Sequence, residues 1–235
     1  MEILPRLHRI PKVTANVYAL IAPEGITLID AGLPRSAGKI LRYLEEIGES
    51  PERVRNVLIT HADADHYGGL HALLEACPQA QVYASAIEAE AIRAGNQSRP
   101  LKVGVAGRLL FRLVNALYPL HPATVHRTLR DGDALPILGG ILVLETPGHT
   151  PGHLSYFLAE GGILFGGDSV RVSRGSVVIS QGMNTWDEAQ AQKSVEKQAK
   201  LHPRLLCAGH GEVLHDAASN LEAALTQVAN QDTNR

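Results

Sequence analysis

The sequence has little cysteine, few aromatic residues and no marked excess of charge of one sign. Two cysteines, Cys77 and Cys207, are too few for a disulfide framework, so a reducing cytoplasmic setting is the expectation. The net charge of −2 gives no electrostatic footprint for a nucleic acid. The N-terminal residues lack the long apolar run of a signal peptide. We therefore expect a globular protein without nucleic-acid or membrane partners.

Histidine, in contrast, is abundant, with eleven residues in a chain of 235. His61, Asp63, Asp65 and His66 lie within six residues, directly after the apolar run Val57–Ile59. Burying such groups is costly unless something pairs with them, and a divalent cation is the usual partner. This stretch therefore predicts a metal-binding loop at the end of a buried strand.

Strand-like and helix-like patterns alternate in both halves of the chain, which suits an α/β fold of two sheets between helices. The expected strands are His8–Pro11, Val13–Ala22, Ile26–Ile29, Val54–Thr60, Val82–Ala84, Val125–Leu129, Ile141–Glu145, Leu154–Ala159, Ile163–Phe165 and Arg204–Cys207. The expected helices are Pro34–Gly48, Gly69–Ala76, an Ala/Glu-rich one ending near Ala94, Thr185–Leu201 and Asp216–Ala229. Thr185 and Glu188 have the spacing of a capping box, which predicts that the fourth helix begins there.

Four further motifs follow the order of a known family. Thr146–His153 contains His149, Phe165–Ser169 contains Asp168, and Ala208–Gly211 contains His210. An early turn, Asp30–Gly32, precedes them all. Together with the loop of residues 61–66, these motifs resemble the metallo-β-lactamase superfamily from about residue 10 to residue 228. The resemblance implies a single domain over residues 1–235, a four-layer αββα sandwich with two mixed β-sheets flanked by helices.

The resemblance also implies two divalent metal ions, with zinc expected and iron or manganese as alternatives. The first ion would be bound by His61, position 63 and His149, the second by Asp65, His66 and His210, and Asp168 would bridge them. A hydroxide bound to the metals would attack the substrate carbonyl. Asp65 would then be the catalytic residue that transfers a proton to the leaving group, and Tyr67 is a candidate for substrate binding.

Asp63 departs from the family, which usually has a histidine at this position. Three interpretations are open: Asp63 is a direct oxygen ligand and both sites fill, it binds through water and the first site is weak or empty, or it only supports a ligand. If Asp63 is a ligand, the site is one charge unit less positive than its all-histidine version. That difference predicts that iron or manganese competes with zinc better than in most family members.

The function implied is hydrolysis of a small ester, thioester, lactone or amide by a dinuclear centre. About twenty-five residues follow His210, too few for the helical glutathione-binding domain of glyoxalase II, which favours the compact hydrolases of the family. A phosphodiesterase-type hydrolase, a diiron protein active in redox or oxygen chemistry, and a metal-binding module without catalysis are the alternatives. The expected partner is a small-molecule substrate of unspecified identity, because fold alone does not fix the reaction.

The segment Leu101–Leu120 is the most apolar long stretch, but Lys102, Arg108 and Arg112 interrupt it too often for a membrane span. Its helical spacing predicts an amphipathic helix. The helix either completes the core or a homodimer interface, or it forms a helical lid over residues 96–122. In a lid, Arg108 or Arg112 would bind a carboxylate or phosphate of the substrate.

Overall fold

The computed structural model describes residues 1–99 and 119–232 of the chain. Two compact units are present, Met1–Leu129 and Arg130–Arg235. The amphipathic helix predicted over residues 101–120, with Arg108 and Arg112, lies outside the described residues apart from its last two positions, so the lid stays a prediction. The single-domain organisation also stays a prediction. Among the residues that the structure describes, no helix combines the length and apolar character needed to cross a bilayer.

The first unit contains a seven-stranded mixed sheet whose strands lie in chain order. Its strands are β1 (Glu2–Leu4), β2 (Leu7–Arg9), β3 (Tyr18–Ala22), β4 (Gly25–Ile29), β5 (Val54–Leu58), β6 (Gln81–Ser85) and β7 (Arg127–Leu129). Neighbours from β1 to β4 pair antiparallel, and neighbours from β4 to β7 pair parallel. Parallel pairing requires long crossover connections, so helices follow β4, β5 and β6. The carboxyl ends of these three strands therefore meet at one edge of the sheet.

The crossover connections of the first unit contain helices that cover its sheet. Within the described residues they are α1 (Ala37–Glu46), α2 (Ala64–Tyr67), α3 (Leu70–Ala76) and α4 (Ala86–Arg93). Helix α1 lies within the predicted helix Pro34–Gly48 and buries Ile40, Tyr43 and Leu44. Ser85 caps α4 because its side chain accepts a hydrogen bond from the backbone N–H of Glu88.

The second unit contains a six-stranded sheet in the order β15-β14-β11-β10-β9-β8 and a separate hairpin of β12 and β13. The strands are β8 (Ala134–Leu135), β9 (Ile141–Glu145), β10 (Leu154–Leu158), β11 (Ile163–Gly167), β12 (Val170–Ser173), β13 (Ser176–Ile179), β14 (Leu205–Ala208) and β15 (Leu214–His215). Strands β11 and β14 pair parallel, while their neighbours pair antiparallel. Helices α5 (Glu188–Ala199) and α6 (Ala217–Asp232) pack with the hairpin and β14 in one apolar core.

The predicted fold class, mixed sheets flanked by helices, is confirmed. The predicted start of α5 is wrong, since Asp187 caps this helix by accepting from the backbone N–H of Gln190 at 3.0 Å. The Thr185 hydroxyl instead lies 2.8 Å from the hydroxyl of Ser180. The β12–β13 hairpin was not predicted, although Val170–Ser173 alternates buried and exposed residues as a half-buried strand does.

Candidate metal centre

Four predicted metal ligands lie on the loop between β5 and the end of α2, and we call His61, Asp63, Asp65 and His66 the loop cluster. The ring centroids of His61 and His66 are 4.0 Å apart, and both side chains are fully buried. Asp63 Oδ2 lies 3.7 Å from His61 Nε2. A carboxylate oxygen of Asp65 lies within 4.8 Å of a ring nitrogen of His66. The loop thus gathers two imidazoles and two carboxylates into one small volume.

Asp30, at the end of β4, supports the loop cluster. Its carboxylate accepts hydrogen bonds from the backbone N–H of Thr60 at 2.8 Å and from the Thr60 hydroxyl at 2.9 Å. His66 Nδ1 donates to the same carboxylate at 2.8 Å. Asp30 is buried and has a φ of +64°, a strained conformation that such a network stabilises. The bond to Nδ1 leaves Nε2 as the nitrogen with which His66 would bind a metal.

Two more contacts hold the beginning of the loop. The Thr60 hydroxyl donates to Asp30, so it accepts from His61 Nδ1, which lies 3.0 Å away. This contact leaves Nε2 as the nitrogen with which His61 would bind a metal. Glu88, fully buried in α4, accepts a hydrogen bond from the backbone N–H of Ala62 at 2.8 Å. Sequence reasoning missed Glu88, because an acidic residue in an Ala/Glu-rich helix is usually exposed.

Asp63 has a cationic partner that the sequence did not predict. Arg99 Nη2 donates to Asp63 Oδ2 at 2.6 Å, and only 7% of the Arg99 side chain and 10% of the Asp63 side chain are exposed. Arg99 lies in a breaker-rich stretch that follows α4, and its position in the sequence does not indicate that it returns to residue 63. The positive charge of the Arg99 guanidinium therefore has to be counted together with the charges of the loop cluster.

Tyr67, the predicted substrate-binding residue that lies among the described residues, is buried, with 1% of its surface exposed. Its hydroxyl donates to the backbone carbonyl of Asn96 at 2.9 Å. Burial raises the pKa of this hydroxyl, and the Asp63 carboxylate raises it further, so the group stays a donor. This hydrogen bond connects α2 to the stretch that leads to Arg99. A role of Tyr67 in substrate binding stays a prediction.

Three predicted ligands of the second unit come from three separate loops, and we call His149, Asp168 and His210 the spread cluster. Asp168 Oδ2 lies 3.6 Å from His149 Nε2 and 3.4 Å from His210 Nε2. His149 is buried, whereas 34% of the His210 side chain is exposed. One carboxylate oxygen thus faces two imidazoles, as a bridging ligand would.

Glycines shape two of these loops. Gly148 has a φ of +143°, and a Cβ at this position would lie 2.3 Å from Cα of Ala191 in α5. Gly211 has a φ of +92°, and its Cβ would lie 1.8 Å from the carbonyl oxygen of Val172. Only glycine permits both the backbone conformation and the close approach. The glycines beside the two histidines therefore allow α5 and β12 to pack directly against the ligand loops.

Further polar contacts fix the spread cluster. His149 Nδ1 lies 3.0 Å from the Ser180 hydroxyl, which leaves Nε2 as the nitrogen with which His149 would bind a metal. His153 is buried, and its Nε2 accepts from the backbone N–H of Asp168 at 3.0 Å. His153 Nδ1 lies 2.8 Å from the Thr146 hydroxyl. These contacts let His153 orient the loop that carries Asp168.

A cavity of about 370 Å³ lies beside the spread cluster and includes all three of its donors in its wall. Exposed polar side chains complete much of the wall, namely Arg171, Gln181 and Asn184. The volume falls within the range of small-molecule sites, which is roughly 300–1,000 Å³. Arg171 supplies a positive charge for an anionic group.

The donors of both clusters fit divalent metal ions. Imidazole nitrogens and carboxylate oxygens are the ligands of zinc, iron and manganese, and the sulfur donor that would restrict the choice is absent from both clusters. His61, His66 and His149 have Nδ1 held by a protein oxygen, the usual arrangement of metal-binding histidines. The structure therefore brings together the predicted ligands within each unit, while the role of Asp65 in proton transfer stays a prediction.

Comparisons with known proteins give one consistent result. Residues 10–210 match the family described as the Metallo-beta-lactamase superfamily. The chain is 28% identical over 242 residues to the probable metallo-hydrolase YflN of Bacillus subtilis, covering 96% of this chain and 90% of that protein. It is 31% identical over 231 residues to a hydroxyacylglutathione hydrolase of Xylella fastidiosa, covering 96% and 71%.

Solved structures agree with these sequence matches. A crystal structure of a metallo-beta-lactamase family protein from Thermus thermophilus matches with a TM-score of 0.74 and 26% identity. The match covers 97% of this chain and 81% of that chain.

Proposed function

The chain belongs to the metallo-β-lactamase superfamily and is a metal-dependent hydrolase, and we propose that it uses two metal ions on a small ester, thioester, lactone or amide. The observation that carries this proposal is the fixed orientation of the histidines. His61, His66 and His149 each have Nδ1 held by a protein oxygen, so that Nε2 is the ligand nitrogen. Such outer contacts fix the tautomer and the ring orientation of metal-binding histidines.

We propose that the two clusters together hold both ions. The ligands of one ion are His61, Asp63 and His149, those of the other are Asp65, His66 and His210, and Asp168 is shared. When bound, the ions supply Lewis acidity toward a carbonyl oxygen and a nucleophile at neutral pH. Family membership and the pairing of donors within each unit support this assignment.

The protein residues have separate tasks in this proposal. Asp30 and Ser180 hold the histidine rings, and His153 holds the backbone of Asp168. Asp65, half-buried in the first turn of α2, takes up the proton that the attacking nucleophile loses and delivers it to the leaving group. Arg171 in the cavity wall binds an anionic group of the substrate.

A phosphodiesterase-type hydrolase is the second candidate, because Arg171 lies where it would also bind a phosphate. The presence of a carboxylate at position 63 keeps iron among the candidate metals. The two candidates therefore differ in the substrate and not in the donor residues.

The test is a substrate panel on metal-free protein reconstituted with zinc, manganese or iron. The panel contains a p-nitrophenyl ester, an acyl thioester, a γ-lactone, an anilide and bis-p-nitrophenyl phosphate. We expect the acyl substrates to be hydrolysed, and Asp168→Asn, which keeps the size of the side chain, to abolish turnover. A preference for the phosphodiester would establish the second candidate. Oxygen consumption by the iron form without hydrolysis would contradict both.

A further inference from the structure

Arg99 is a buried cation directed at a predicted metal ligand. Its Nη2 lies 2.6 Å from Asp63 Oδ2, and only 7% of its side chain is exposed to solvent. The same oxygen lies 3.7 Å from His61 Nε2, the nitrogen assigned as a ligand. Asp63 Oδ2 thus faces a guanidinium on one side and a metal-ligand nitrogen on the other.

The pair is tightly coupled because both charges are shielded from water. A buried arginine requires a partner, and a charge-assisted hydrogen bond to a carboxylate provides one. Within residues 1–99 and 119–232, Asp63 is the acidic residue that forms an ion pair with Arg99, and Arg99 Nε has no hydrogen-bond acceptor. Among the described residues, the ion pair of Arg99 is therefore with Asp63.

This pairing changes the charge that a metal ion would meet. A carboxylate in place of a neutral imidazole makes a site one unit more negative, which is the basis for expecting iron or manganese at Asp63. Arg99 adds one positive unit at hydrogen-bond distance and cancels that difference. Asp63 and Arg99 together present an oxygen donor with the net charge of a histidine.

We propose that Arg99 weakens Asp63 as a metal ligand, because its positive charge repels a cation bound by the same carboxylate. The metal position containing Asp63 is then the weaker of the two and keeps the zinc preference of an all-histidine site. The proposal rests on the proposed dinuclear centre. Arg99 is a positioning residue, because it acts on the metal through Asp63 and not by contact. The expectation of a harder site that followed from Asp63 alone then applies only when Arg99 is removed.

The experiment measures stoichiometry and the affinity of each binding step for Zn²⁺ and Mn²⁺, by competition with a chromophoric chelator on metal-free protein. The variants are Arg99→Gln, which removes the charge and keeps a donor, and Arg99→Lys, which keeps the charge. Arg42→Gln, at an exposed position of α1, is the control for loss of one positive charge. We expect Arg99→Gln to tighten the weaker step by about tenfold, about 1.4 kcal/mol, and to raise the ratio of Mn²⁺ to Zn²⁺ affinity.

Arg99→Lys and Arg42→Gln are expected to keep the wild-type affinities within about threefold, which corresponds to about 0.6 kcal/mol of binding free energy. An unchanged or weaker step in Arg99→Gln would overturn the role of Arg99. Wild-type protein that binds fewer than two ions would instead overturn the dinuclear centre. If thermal unfolding shows that Arg99→Gln is not folded, Arg99→Met, which keeps the apolar stem, takes its place with the same expected result.

Discussion

The loop cluster and the spread cluster both bring candidate metal ligands close together, but they take them from the chain in different ways. The loop cluster takes four donors from six consecutive residues, with both histidines fully buried. The spread cluster takes three donors from loops that are separated by long stretches of sequence, and its His210 is one-third exposed. Both clusters have outer hydrogen-bond partners, but the spread cluster depends in addition on glycines that permit close packing of its loops.

This difference predicts which substitutions should disrupt each cluster. Asp30, Thr60 and Glu88 fix the loop cluster through buried hydrogen bonds, so that a change in one of them leaves a buried polar group without its partner. The spread cluster depends on backbone geometry at Gly148 and Gly211. Substitutions should therefore weaken the first cluster through its polar network and the second through its packing.

The largest expected effect is the loss of a histidine from either cluster. His66→Ala and His210→Ala should each reduce hydrolysis by at least about a thousandfold, about 4 kcal/mol. Removal of a direct ligand should exceed the roughly 10- to 100-fold loss that follows from an outer partner. Steady-state kinetics with the best substrate of the panel measures the effect.

Added imidazole separates the two variants. Because His210 is partly exposed, imidazole should restore part of the activity of His210→Ala. The fully buried position of His66 admits no such rescue. Equal rescue of both variants would contradict the difference in accessibility between the clusters.

The next largest effect concerns the packing of the spread cluster. Gly148→Ala should lower the free energy of unfolding by about 3 kcal/mol or more, since its Cβ would overlap the backbone of Ala191 and its φ would be strained. Gly132→Ala is the matched control, because Gly132 has a φ of +81° but no atom within 4 Å of the added Cβ. The control should lose about 1 kcal/mol. Equal losses in denaturant titrations would show that strain alone determines the cost.

Much of the fold could be predicted because its signals are local. The helix predicted over Pro34–Gly48 contains α1, and Ile141–Glu145 was predicted with the bounds that it has. The candidate ligands could be named from short motifs, since metal loops at strand ends require fixed residue types in a fixed order. The family resemblance then implied how these candidate ligands divide between two metal ions.

The rest depends on contacts between distant residues. Arg99 and Glu88 are charged residues in segments that look exposed, and only the tertiary structure brings them to Asp63 and Ala62. Thr185 has a capping-box spacing, but Asp187 is the better cap and Thr185 bonds elsewhere. For a charged residue outside a motif, the sequence does not indicate that it is buried or which partner neutralises it.

A third prediction compares the outer partners of the two clusters. Asp30→Asn should weaken metal binding by about a hundredfold, and Ser180→Ala by about tenfold. The difference follows because buried Asp30 accepts from both Thr60 and His66, whereas Ser180 contacts His149 alone among the histidines of its cluster. Chelator competition on metal-free protein measures both, with circular dichroism as the control for folding. A larger loss in Ser180→Ala would reverse the comparison.

The smallest expected effect tests a surface pair that supports the His149 loop. Asp131 accepts from the backbone N–H of Glu145 at 2.9 Å, and Lys197 donates to both Asp131 and the carbonyl of Glu145. Burial alone would raise the pKa of Asp131, but the bonds from Lys197 and Glu145 outweigh it and lower that pKa. The folded carboxylate therefore binds protons less readily than the unfolded one.

The lowered pKa of Asp131 determines how its contribution to the free energy of unfolding changes with pH. The contribution of Asp131 is complete above its unfolded pKa, about 3.9, and is lost as the pH falls through the lower folded value. Asp131→Asn should cost less than about 1 kcal/mol at pH 7, because the pair is partly exposed and screened. The difference from wild type should shrink toward pH 2 in denaturant titrations, and Lys197→Met should behave in the same way. An equal loss at both pH values would show that the strand leading to the His149 loop is held here by packing and not by charge.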